Sequence, residues 1–150
     1  MKAKTQGPGP GSPIEVGGVR VATGDREEVE IRVERLATGP WISIPAVVLN
    51  GRLAGPTVCV TAAIHGDEIN GVEAIRRLLM ELRPADMRGT VIAVPVVNEL
   101  GFVAGSRYLP DGRDLNRSFP GSPRGSPAIR LPTRSRSSLA TGRASSPART

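Results

Sequence analysis

One cysteine, one histidine and four aromatic side chains are all that 150 residues contain of these types. The lone Cys59 excludes a disulfide framework and any zinc ribbon built on several cysteines. The aromatics Trp41, Phe102, Tyr108 and Phe119 are too few for the base-stacking platforms of RNA-binding sheets. No run approaches the ~20 apolar residues of a membrane span, so no membrane partner is expected. The opening MKAKTQGPGPGSP has two lysines with no apolar stretch behind them, unlike a secretory signal. A reducing, cytoplasmic location is therefore the expectation. The single histidine, His65, sets a ceiling on any histidine-based chemistry.

An excess of one charge is also missing from most of the chain. Lysine plus arginine number 20 and aspartate plus glutamate 14, a formal charge of +6. Residues 1–120 hold 14 basic and 14 acidic side chains, which cancel. Residues 121–150 hold 6 arginines and no acid. A folded nucleic-acid-binding surface needs clustered positive charge, so no specific nucleic-acid partner is expected of the body. Only the tail carries enough charge to meet a polyanion.

What is present has an order. Residues 1–13 are Gly/Pro-rich and polar and read as a disordered leader. Residues 14–50 form a β-rich first segment. Val29, Ile31 and Val33 alternate with charged neighbours, as in a half-buried strand. Ile42 to Leu49 is a second apolar run broken by Pro45, which predicts an edge or bulged strand. Asn50-Gly51 is a turn signal. Thr57 to Ile64 (TVCVTAAI) is a continuous small and β-branched run, the pattern of a strand buried on both faces, with Cys59 buried in it as a small hydrophobe. Val72, Ile75, Leu78, Leu79 and Leu82 repeat at helical spacing, Glu73 and Arg77 pair at i,i+4, and Pro84 ends the helix. Thr90 to Val97 is another buried strand. Strand, helix and strand make a βαβ unit with a parallel pair. From Asn98 to about Gly121 the chain is polar, has no clear period and carries a type I′-prone Asp111-Gly112 pair. It reads as a long loop, which in a compact domain is functional or disordered. Residues 124–150 have no periodic apolar face and read as a disordered basic tail.

Two groups of residues can carry chemistry. His65 and Glu68 lie three apart, directly after a buried strand and before a helix. In open α/β sheets, ligands bind outside the carboxyl ends of the strands. An imidazole and a carboxylate placed there could share one metal ion, and Zn²⁺ accepts both donors. The same residues equally suit a polar loop histidine and an acid favoured by a helix N-terminus. The second group is Arg107 with Asp114, Asn116 and Arg117. Two guanidinium forks and an amide could hold a carboxylate or polarise a carbonyl, or form a solvated charged loop.

Taken together, HGDE after a buried strand and, about 30 residues on, VNELGFVAGSRYLPDGRDLNRSFPG resemble the succinylglutamate desuccinylase/aspartoacylase family of zinc carboxypeptidase-like hydrolases. The resemblance covers roughly residues 14–123. It implies an α/β fold, here the N-terminal part of a mixed, mostly parallel sheet with flanking helices, incomplete. It implies Zn²⁺ as cofactor, with His65 and Glu68 as its first two ligands. It implies that Asn116 and Arg117 contact the substrate carboxylate or scissile carbonyl, that Arg107 is a further substrate-binding residue, and that Asp114 orients the arginines. Asp67, within HGDE, is given no ligand role. The implied reaction is hydrolysis of an amide or ester bond in a small N-acylated amino acid or similar molecule. Zinc would polarise the carbonyl and lower the pKa of a bound water to about 7.

The departures matter as much. The family takes a third zinc ligand from a downstream histidine and its general base from a later glutamate. This sequence has no second histidine and no acidic residue after Asp114. No catalytic base is therefore assigned. From about Pro127 the sequence no longer looks like the family, as in a truncated or frameshifted reading frame. The expectation is a hydrolase by family that is inactive as this chain. The alternatives are a non-enzymatic fragment with a polyanion-binding tail, or a zinc carboxypeptidase acting on peptides.

Overall fold

The computed structural model describes residues 12–35, 38–119 and 121. The expected leader, apart from Ser12 and Pro13, and the expected tail over residues 124–150 lie outside them.

Residues 14–50 form four strands. β1 (Ile14–Val16) and β2 (Val19–Val21) make a small antiparallel hairpin. β3 (Arg26–Arg35) and β4 (Trp41–Asn50) pair antiparallel. Val29, Ile31 and Val33 are buried, as their period-2 spacing requires. The register shift lies in β3, between Arg32 and Glu34, and not at Pro45. β4 is an inner strand, but its ladder with β6 runs only from Val47 to Asn50. Pro45 precedes that ladder, so its missing N–H removes no bond from it.

β5 (Leu53–Thr61), α1 (Asn70–Glu81) and β6 (Arg88–Val94) form the βαβ unit, and β5 and β6 are parallel. A short 3₁₀ turn over Pro84–Asp86 follows α1, where Pro84 cannot continue the helix. The sheet order is β3-β4-β6-β5. The sheet is mixed: the βαβ unit supplies one parallel ladder, and the other two are antiparallel.

Each sheet face has its own core. One face packs against the hairpin residues Ile14, Val16 and Val21 and against Leu109 and Leu115 from the later segment. The other packs Leu49 and Ala93 against Ile75 and Leu79 of α1. Arg26 of β3 donates to the Leu79 carbonyl at 2.9 Å, near the negative end of α1. Asn50 ties the hairpin to the sheet: its Nδ2 donates to the Ser12 and Val21 carbonyls, and Thr90 Oγ1 donates to its Oδ1.

Other expectations fail here. β5 is not buried on both faces. Among the described residues it is an edge strand, most of its residues are exposed, and Val58 is 47% exposed. Cys59 is correspondingly exposed, not buried mid-strand. Nor is the stretch after Asn98 wholly loop. It contains α2 (Glu99–Val103) and a 3₁₀ turn over Leu115–Arg117. The turn around Asp111-Gly112 forms, with Gly112 at φ +76°, but Asp111 does not share the positive φ that type I′ demands of both residues.

Candidate functional site

The site begins where β5 ends. Ala62 donates to Val94 O, while Val97 and Asn98 donate to the carbonyls of Ala62 and Ala63. The two strand ends are thus zipped past the sheet. Ala63 adopts φ +46°, a left-handed conformation a non-glycine residue holds only when its surroundings impose it. A tight turn follows, in which Glu68 N donates to His65 O at 3.1 Å. That turn brings the two side chains face to face, with His65 Nδ1 2.9 Å from Glu68 Oε1.

A second segment meets this turn from across the core. Leu109 and Leu115 are buried anchors, 6% and 0% exposed. Between and beside them the backbone folds tightly, with Leu109 N donating to Arg113 O and Gly112 N to Leu109 O. Asp114 begins the 3₁₀ turn and accepts from Asn116 N at 2.8 Å. The same Oδ1 lies 3.1 Å from His65 Nε2. Arg107 closes the ring: Nη1 donates to Glu68 Oε1 at 3.3 Å, and Nη2 lies 3.6 Å from Asp114 Oδ2. Burial pushes the Asp114 carboxyl upward, but the Asn116 amide, the His65 ring and the Arg107 charge outweigh it and hold it below its ordinary 3.8.

Four of the six candidate residues therefore sit together: His65, Glu68, Arg107 and Asp114. Asp114 reaches the histidine as well as the arginine, a contact the sequence did not suggest. Asn116 and Arg117 occupy the adjoining 3₁₀ turn, both exposed. No hydrogen bond or ion pair holds the Arg117 side chain among the described residues.

The donor set suits a metal in one specific respect. If His65 spends its Nε2 proton on Asp114, Nδ1 carries only a lone pair. That lone pair then faces a carboxylate oxygen at 2.9 Å, and two acceptors so placed need a proton or a cation between them. Two zinc bonds of ~2.0–2.2 Å at a tetrahedral angle would set N and O roughly 3.4 Å apart, a small opening of the present geometry. A carboxylate behind the far ring nitrogen is the usual support of a metal-bound histidine. No group of three His, Cys, Asp or Glu side chains forms a metal site among the described residues. His65 and Glu68 thus fit as two ligands of a site, not a full set.

Beside Glu68 opens a cleft of ≈ 700 Å³, lined by Thr61–Ile64 and by residues 67–71, including Asp67 and Asn70. That is the size of a small-molecule pocket, at the carboxyl end of a parallel strand.

Asn98 escaped the sequence reading. It is fully buried; its Oδ1 caps α2 by accepting from Gly101 N, and its backbone binds Ala63 and Phe102. An asparagine just before ELG is a helix N-cap signal that could have found it. Its Nδ2 has no partner among the described residues.

The profile of the succinylglutamate desuccinylase/aspartoacylase catalytic domain matches residues 54–146. The chain belongs to this family. The match starts at β5 and extends beyond the point where the sequence alone stops resembling the family. An N-alpha-acetyl-L-2,4-diaminobutyric acid deacetylase from Halomonas elongata is 46% identical over 86 residues, 57% of this chain and 25% of that protein. The fold agrees. A succinylglutamate desuccinylase/aspartoacylase from Rhodobacter sphaeroides superimposes with a TM-score of 0.63 at 38% identity, over 72% of this chain and 34% of that one. An aspartoacylase family protein from Mesorhizobium loti gives 0.69 at 34% identity, over 79% and 38%. The chain thus spans a quarter to two fifths of these relatives' lengths. No helix among the described residues is long and apolar enough to cross a membrane.

Proposed function

We propose that this chain carries part of the active site of a zinc-dependent deacylase acting on small N-acylated amino acids or similar molecules. The observation that supports it is His65 held between Glu68 and Asp114, with one carboxylate at each ring nitrogen. In this reading His65 Nδ1 and Glu68 Oε1 are the metal ligands, and Asp114 fixes the ring through Nε2. Bound zinc supplies Lewis acidity and an acidified water. Arg107, Asn116 and Arg117 surround the same site with donors for a substrate carboxylate and for charge developing on the scissile carbonyl. A deacylase fits family membership and the relatives' names. A reducing cytoplasm suits the exposed, unpaired Cys59.

The chain as it stands is proposed to be inactive. His65 is its single histidine, and no acid follows Asp114. Catalytic zinc sites use three protein ligands, and a general base is also needed. Zinc titration by calorimetry tests the site directly. His65→Ala should abolish binding, whereas Asn70→Ala, on the cleft but outside the ring, should retain it. Tight zinc binding that survives the loss of His65 would place the metal elsewhere and end this reading.

A further inference from the structure

We infer that Asn98 is a positioning residue of this site: its side chain fixes Gly101, and Gly101 seats both the His65–Glu68 turn and the segment that carries Arg107. The inference rests on the metal reading above and goes beyond it, because it assigns the spacing of the ligands to a residue outside the ring of His65, Glu68, Arg107 and Asp114.

Gly101 is where the two halves of the site meet. Its amide donates to Asn98 Oδ1 at 2.9 Å. Its carbonyl accepts from Ser106 N at 2.8 Å, one residue before Arg107. Its backbone lies so close to Gly66, the residue after His65, that no Cβ fits between them. Arg107 Nη1 in turn donates to Glu68 Oε1 at 3.3 Å, so two routes lead from Gly101 to one carboxylate. Asn98 also holds the turn from its other side. Its own amide donates at 3.0 Å to the carbonyl of Ala63, the left-handed residue two before His65. The chain on either side of His65 is thus referred to Asn98.

The side chain shows which atom matters. Asn98 is fully buried; Oδ1 is used, and Nδ2 has no partner among the described residues. An unpaired buried donor costs free energy that a smaller acceptor would avoid. The acceptor is therefore the working atom. With five residues, α2 is too short to hold its own first turn. Without the cap, the Gly101 amide is left unpaired and the glycine is free to shift. Gly66 and Ser106 would shift with it, changing the 2.9 Å approach of His65 Nδ1 to Glu68 Oε1.

Asn98→Ser and Asn98→Ala are the test, because they leave similar space and differ in one acceptor oxygen that can cap a helix. Zinc titration of the full 150-residue chain is the first measurement, with circular dichroism to confirm folding. Asn98→Ala should bind zinc about tenfold more weakly, the low end of the loss found when a support of metal ligands is removed. Asn98→Ser should stay near wild type. A residue that merely fills the core would give equal losses in the two variants, and that result overturns the inference. So does a folded Asn98→Ser that loses zinc tenfold, which decides the matter even if Asn98→Ala does not fold. The second measurement needs no metal: the ring nitrogen-15 shifts of His65 in zinc-free protein should move in Asn98→Ala and hold in Asn98→Ser. Shifts unmoved in a folded Asn98→Ala also overturn the inference. If instead His65→Ala binds zinc like wild type, the metal reading has failed, and the ring shifts still test Asn98.

Discussion

Gly66 lies against Gly101 so closely that a Cβ on Gly66 would strike the Gly101 carbonyl group and the Phe102 amide. The turn carrying His65 and Glu68 is therefore seated directly on the backbone of α2. Gly101 is confined in turn, because its own Cβ would meet the Asn98 side chain. The glycines of HGDE and NELG are two sides of one contact, and Asn98 holds both ends by capping α2 and donating to Ala63 O.

Gly66→Ala should destabilise the fold by roughly 1–3 kcal/mol, the usual cost of forcing extra atoms into a packed site. Neither backbone can yield without moving the His65 turn. Zinc affinity should fall with stability. Urea unfolding and zinc titration on the same variant check this. A variant as stable as wild type would show that the two backbones are farther apart than described.

Asp114→Asn keeps the shape of the side chain and removes its charge. The Asn116 and His65 contacts would then rest on an amide able to turn its donor toward either, so the ring loses its orientation. Zinc affinity should fall by about 10–100-fold, the range found when a carboxylate supporting a metal-bound histidine is replaced. Stability should change far less than affinity. Equal losses in both would mean that Asp114 serves the fold and not the histidine.

Much of this was legible from spacing alone, and the misreadings have a physical pattern. The alternation of Val29, Ile31 and Val33 and the helical repeat from Val72 to Leu82 are local, and both elements formed. His65 and Glu68 are close in sequence, so one turn brings them together. TVCVTAAI reads alike in a central or an outer strand, because burial depends on which strands become neighbours in space. That is why Cys59 proved exposed. The five residues of α2 are too short to show a period; their signal was the cap, Asn98. The contact between His65 and Asp114 spans 49 residues and depends on Leu109 and Leu115 reaching the core, which no local pattern announces.

Glu73 offers a measurable pH signature away from the site. Hydrogen bonds from Arg76 first and Arg77 second lower its pKa from 4.5 to about 2. A carboxyl depressed on folding contributes stability that is complete above 4.5 and fades as the pH falls through about 2. The cluster is exposed, so Glu73→Gln should move the thermal midpoint little at pH 7. Carbon-13 titration of the side-chain carboxyls should show Glu73 titrating well below 4.5, and added salt should raise it. A midpoint near 4.5 at low salt would mean that the arginines do not hold it.

Cys59 should be accessible yet slow to react. It lies exposed on β5, but partial burial pushes its thiol above the usual 9.0, which lowers the thiolate fraction at neutral pH. Native protein should label to one equivalent with an aromatic disulfide reagent, more slowly than glutathione at pH 7.5, with the gap closing as the pH rises. Labelling only in denaturant would restore the buried strand that the sequence suggested.

The activity of the chain is the most demanding expectation. With zinc supplied, the 150 residues should hydrolyse no N-acetyl or N-succinyl amino acid measurably. Two protein ligands leave the metal and its water poorly placed, whereas catalytic sites fix the ion with three. General-base help, worth about 10²–10⁴-fold, has no candidate after Asp114. These losses need not multiply, since groups that act as one unit fail together. Arg117 separates binding from chemistry. It is exposed and its side chain has no partner among the described residues, so Arg117→Ala should leave folding and zinc content unchanged. In a longer relative that supplies the further histidine and glutamate, the matching substitution should cut kcat/KM sharply at normal zinc content. Zinc-dependent turnover by the short chain, abolished by His65→Ala, would show that the site works with fewer than three metal ligands and a general base.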